Sequence, residues 1–176
     1  MRTRVLMFLL LCLPLCAAAT NAGDNGYDDI DGFFGYCSGV KSPGVRYTYI
    51  SSMMMKRVAA LPLGDTDLKP IADKIDFVQS VYVGTEFEDV KECALKVEAL
   101  SQVAIESGFE CVMSFNKDGV HTNILIKRGE GGLNSLLMTN VCYADGEIQF
   151  AVAARIGGVF SPEDILSLMK FQVVIK

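Results

Sequence analysis

Residues 111–156 alternate apolar and polar side chains in four runs, each set off from the next by glycine-bearing turn residues. Cys111, Met113 and Phe115 alternate ahead of Asn116-Lys117-Asp118-Gly119, and a second run covers 120–128. The link Gly129-Glu130-Gly131-Gly132 leads into 136–143, and Asp145-Gly146 into 147–156. Asp-Gly between alternating runs is the residue pair that a two-residue hairpin turn favours. Four successive strands joined this way predict an antiparallel meander. Clean alternation further predicts one face against a core and one in water. The bulkier sets, Val120, Thr122, Ile124 and Ile126 with Ile148, Phe150, Val152, Ala154 and Ile156, are assigned to the covered face. That leaves His121, Asn123, Lys127, Gln149 and Arg155 on the open face, with small Ala151 and Ala153 between them.

Upstream, a long helix is expected over 86–107. Phe87, Val90, Ala94, Val97 and Ala104 form one stripe, widened by Cys93 and Leu100; Thr85 and Glu88 have the spacing of a reciprocal capping box, and Gly108 closes the far end. Strands are expected over 45–50 and 78–83. Shorter helices are expected over 33–38, from a cap at Ser51 or Ser52 to about 60, and over 68–74. A last helix opens with Ser161 as cap, Pro162 at its first position, and Phe160 and Ile165 as a hydrophobic staple. The fold class that follows is α+β: a two-layer sandwich, with a mixed, mostly antiparallel sheet of about six strands and helices on one face.

The first 22 of the 176 residues read as an export signal. Arg2 and Arg4 precede an apolar run over 5–16, then Ala17-Ala18-Ala19 and Thr20-Asn21-Ala22, so cleavage is expected after Ala22 or Ala19. The run falls short of the ~20 residues a membrane-spanning helix needs. Cys12 and Cys16 each follow a leucine rather than a small residue, which favours a cleaved leader over a lipid anchor. The expected organisation is therefore a signal peptide over 1–22, a flexible acidic segment over 23–32, and a single α+β domain over 33–176, located in a periplasm or outside the cell. The chain is acidic, 21 Asp and Glu against 16 Lys and Arg, which argues against nucleic acid and anionic membrane as partners.

Beyond the leader stand Cys37, Cys93, Cys111 and Cys142, widely spaced and set among apolar neighbours. Buried free thiols fit those surroundings best. One disulfide is the alternative that four cysteines in an exported chain leave open. Their spacing, with a single histidine in the chain, gives no metal set, and no cofactor motif is visible.

The stretch YTYISSMMMKRVAAL, followed by ADKIDFVQSVYV, a long helix, FECVMSF and the ending GGVFSPEDILSLM, resembles the domain-of-unknown-function family numbered 4252, exported proteins of Bacteroidetes. The resemblance covers residues 33–171, with Tyr49-Ile50-Ser51, Lys74-Ile75-Asp76 and Glu163-Asp164-Ile165 its most specific parts. It implies a cell compartment and a lineage; the family has no established catalytic residues to carry over.

No catalytic constellation is visible. His121 sits in a strand beside Asn123 and Lys127, Ser51 and Ser52 occupy a helix-cap position, and no G-x-S-x-G occurs. Two binding surfaces are expected. Met53, Met54 and Met55 are consecutive on one short helix, where neighbouring positions point about 100° apart, so at least one must leave the core and offer an adaptable contact. The open sheet face, with His121, Asn123, Lys127, Gln149 and Arg155, is the second. The expected function is a non-enzymatic envelope protein that contacts another envelope protein. The alternative is a module binding a peptide or glycan on the open face.

Overall fold

The computed structural model describes residues 29–60, 69–161 and 163–164. The elements are α1 (Ile30–Gly39), β1 (Val45–Ser51), α2 (Ser52–Ala59), α3 (Lys69–Ala72), β2 (Ile75–Gly84), α4 (Val90–Glu106), β3 (Glu110–Lys117), β4 (Val120–Gly129), β5 (Gly132–Ala144) and β6 (Glu147–Phe160). The six strands form one sheet in the order β1-β2-β6-β5-β4-β3, so the α+β architecture follows the patterning. Every hydrogen-bonded pair in it is antiparallel. The crossover expected to make the sheet mixed shows only in connectivity: β2 and β3 run the same way across α4, but β6, β5 and β4 lie between them.

Local chemistry sets the hairpins. Asp118 and Gly119 adopt φ of 52° and 78°, and Asp145 and Gly146 adopt 53° and 80°. Two successive positive φ values make type I′ turns, whose twist matches that of the flanking strands. At Gly119 a Cβ would lie 2.2 Å from the Tyr143 carbonyl oxygen, so this turn has no room for a side chain.

The first core lies between the sheet and the α1/α4 layer. α4 buries Cys93, Ala94, Val97, Leu100 and Ala104 against Val81, Val83, Leu125, Leu137, Val141, Ala151 and Ala153. Phe33 and Phe34 of α1 meet edge to face at 5.5 Å and are almost fully buried; each stabilises by roughly 1.5–3 kcal/mol through burial. The second core, on the opposite face, joins Ile50, Val78, Ile126 and Ile156 to Ile75, Leu133 and Phe160, with Ile71 of α3 and half-buried Met55 of α2. Helices therefore serve both faces, α1 and α4 on one and α2 and α3 at one end of the other, rather than the single layer expected.

Three expectations change. α4 begins at Val90, not at 86, and the Thr85–Glu88 capping box does not form; Asp89 is the cap, without a side-chain bond. Residues 84–90 instead turn through Phe87 N–H to Gly84 C=O and Val90 N–H to Phe87 C=O. Phe87 packs on the first core, and its backbone comes so near Gly44 that a Cβ there would sit 2.3 Å from Phe87 N. Tertiary packing has overridden the local cap. The acidic lead-in also ends earlier: Asp29 accepts from Gly32 N–H (2.6 Å) and starts α1 at Ile30, while 23–28 lie outside the described residues.

The third change is the sheet's sidedness. Ala151 and Ala153, assigned to the open face, are fully buried under the helical layer, whereas Ile126 and Ile156 belong to the opposite core. Small residues on the strands and Ala94 and Ala104 on α4 let helix and sheet approach closely, so the alanines mark the covered face.

At the C-terminal end Ser161 caps as expected. Its Oγ accepts from Asp164 N–H (3.2 Å) and its own N–H donates to Asp164 Oδ2 (2.7 Å). The staple partner Ile165 lies outside the described residues.

Candidate contact surfaces

α2 follows β1 without a loop, and Ser51 Oγ accepts from Met54 N–H at 3.5 Å. The helix then turns its three methionines apart as its geometry requires. Met55 packs on the second core, while Met53 and Met54 are 64% and 51% exposed. Tyr49, near the end of β1, is 53% exposed and stacks on Phe77 at 6.4 Å.

The five residues assigned to the open face do not form a platform. Four of them tie the helical layer or neighbouring strands together. Lys127 donates to Ser107 C=O at the end of α4 (2.8 Å), Asn123 donates to Thr139 Oγ1 (3.4 Å), and Arg155 reaches Asp31 of α1 and lies over the Phe77 ring at 5.3 Å. His121 meets Glu98 of α4. Gln149 stands apart, exposed where the β5–β6 register shifts between Cys142 and Tyr143. The alternation was legible; the helix that covers this face was not, because α4 arrives from outside the meander.

His121 is the centre of a small polar cluster. Asn116 donates from Nδ2 to Nε2 (2.8 Å), which places the ring proton on Nδ1, 3.7 Å from Glu98 Oε1. Tyr143 donates to the same oxygen at 2.8 Å, and its ring lies 5.2 Å from that of His121. Burial first, then the bond to Glu98, pushes the Tyr143 phenol up to about 12, so it stays a donor at neutral pH. Among the described residues no hydroxyl or thiol is hydrogen-bonded to His121. General-base activation of a protein nucleophile therefore lacks its second member.

Three of the thiols, Cys37, Cys93 and Cys142, are poorly suited to chemistry as well. Burial, then Cys93 nearby, pushes Cys37 up to about 12; burial also raises Cys93 and Cys142. All four are unpaired in this structure, and Cys111 is exposed rather than buried as the apolar surroundings suggested. Its exposure follows from strand order, since β3 is an edge.

An open cleft of about 570 Å³ lies where the Gly129–Gly132 link meets Lys74, Leu133 and Phe160. Both cations at its rim are engaged: Lys74 Nζ meets both oxygens of Asp164 (2.8 and 2.7 Å), and Arg128 Nε meets Glu110 (3.3 Å). Among the described residues no group of three His, Cys, Asp or Glu is placed to hold a metal ion, and no helix is long and apolar enough to cross a membrane.

The surface missed by the pattern is β3, exposed along all eight residues. Val112, Met113 and Phe115 are 51%, 43% and 45% exposed on it.

No protein-family model matches the sequence, and no curated protein matches it. Among solved structures, the crystal structure of LpqN, involved in cell envelope biogenesis of Mycobacterium tuberculosis, aligns at 14% identity with a TM-score of 0.31. The alignment covers 57% of this chain and 58% of that one. A likeness that low carries no argument about fold or role.

Proposed function

We propose that this chain is an exported, non-enzymatic envelope protein that acts by binding another envelope protein, and that it belongs with the exported family its sequence resembles. The leader over 1–22 supports the compartment. The observation that carries the contact reading is the exposure of Met53 and Met54 on a helix whose third methionine anchors it to the core. Flexible thioethers held on a fixed helix suit a partner surface that must be matched by repacking.

Met54→Glu places a charge in this patch without touching either core. Co-purification from the native host should then lose a specific partner while the thermal midpoint stays within about 1–2 °C, as expected of a surface change within ~0.5 kcal/mol. An unchanged partner set overturns the reading. A turnover assay abolished by His121→Ala would replace it with an enzymatic one.

A further inference from the structure

We infer that β3 is a self-association edge, pairing antiparallel with β3 of a second copy so that the two sheets become one. This goes beyond the α2 contact and uses a different part of the molecule. Among the described residues no strand covers β3 on its outer side, and its middle carries neither the proline nor the charge with which sheet edges are usually blocked.

The register follows from the strand's own pairing. The two-residue turn at Asp118-Gly119 makes Lys117 and Val120 the hydrogen-bonded pair that closes the hairpin. Alternation then directs the backbone N–H and C=O of Asn116 and Ser114 away from β4. Val112 is the extra residue where the register shifts between Cys111 and Met113. Because of that bulge, Glu110 and Lys117 share one face, with Met113 and Phe115, although their separation in an unbroken strand would put them on opposite faces.

A two-fold axis through Ser114, normal to the sheet, satisfies all of these positions together. Ser114 pairs with Ser114 of the second copy through its outward N–H and C=O. Met113 then falls opposite Phe115, Cys111 opposite Asn116, and Glu110 opposite Lys117, each pair on a common face. The strand is thus self-complementary in charge: Glu110, which also meets Arg128 of its own chain at 3.3 Å, faces Lys117 of the copy, twice, once the copy is rotated. Each such cross-strand pair adds modestly, and the like-charged alternative is penalised. An unrelated peptide on this edge would not require that match.

Sedimentation equilibrium of the purified protein should give a dimer. Glu110→Lys and Lys117→Glu should each weaken it on the order of tenfold, since each turns both symmetric pairs into repulsions. The double variant should recover it. Ser114→Pro removes an N–H that β4 does not use, so it should leave the circular dichroism spectrum unchanged and abolish the dimer. A protein that stays monomeric up to its solubility limit overturns the inference. So does a dimer that Ser114→Pro leaves intact, or charge reversals that the double variant fails to rescue. Loss of the dimer with the Met54-dependent partner retained would leave the proposed function standing.

Discussion

The two faces of the sheet fill their cores differently. On the α1/α4 face the central strand supplies small residues, Ala151 and Ala153, and Phe33, Phe34, Val97 and Leu100 of the helices pack over them beside Val81, Leu125, Leu137 and Val141 of β2, β4 and β5. On the other face the strands themselves supply the bulk, through Ile50, Val78, Ile126 and Ile156. Polar groups divide in the same way. Thr139, on the helical face, shares a hydrogen bond with Ser101 of α4 at 3.1 Å. Ser80 Oγ and Asn140 Nδ2, on the opposite face, are buried without a partner among the described residues. On that face Thr122 donates to Asn140 Oδ1 (2.6 Å) from strand to strand, whereas on the first face a helix brings the partner hydroxyl. Close packing and polar satisfaction should therefore fail together on the first face and tolerate change on the second.

The largest test of that contrast is Phe34→Ala, which empties a site with no solvent exposure. It should cost about 3–5 kcal/mol in urea unfolding, and a loss below ~1 kcal/mol would mean the helical layer is not what closes the core. Next comes a matched pair of polar deletions. Thr139→Val strands the Ser101 hydroxyl and should cost about 1 kcal/mol, whereas Ser80→Ala removes an unpartnered oxygen and should be neutral or slightly stabilising. Equal losses at the two sites would erase the distinction between the faces.

The smallest effect is one of pH, at the end of the second face. Burial pushes the Asp164 carboxyl up, but the bond from Lys74 and those from Ser161 together hold it below its ordinary value. A carboxyl depressed in the folded state stabilises above its unfolded pKa, and that contribution disappears as pH falls through the lower folded value. Asp164→Asn should thus flatten the acid limb of stability below about pH 4, by ~1 kcal/mol, since Asp164 is buried but its partner Lys74 is 42% exposed. An acid limb identical in both proteins would remove the pair from the account.

Most elements were legible because their causes are local. The Asp-Gly turns, Gly108 with φ of 88° after α4, and Ser161 each act within a few residues. What could not be read is what distant segments decide. In β4 and β6 the more polar set, with Leu125, Ala151 and Ala153 among it, lies under α4 and the bulkier set lies on the other face, so periodicity named two faces without saying which one α4 would cover. The bulkier set was assigned inward, when the alanines were the better guide. Thr85 and Glu88 had a capping spacing, yet the approach of Phe87 to Gly44 governed the turn. Of the candidate sites, the methionine patch was predictable from helix geometry. The partnership of His121 with Glu98 depends on where a crossover lands, and the bareness of β3 depends on strand order.

The strand order also bears on how the chain is made. β2 has β1 beside it early, but its other neighbour is β6, the last of the six described strands to be synthesised. Until Phe160 is made, β1, β2 and α4 have only part of their sheet to rest on. The three hairpins from β3 to β6, by contrast, close over short distances and can zip up on their own as they appear. Completion of the molecule is then a docking of two halves along a single seam between β2 and β6, and whatever holds the growing chain must shield that seam until the final strand arrives.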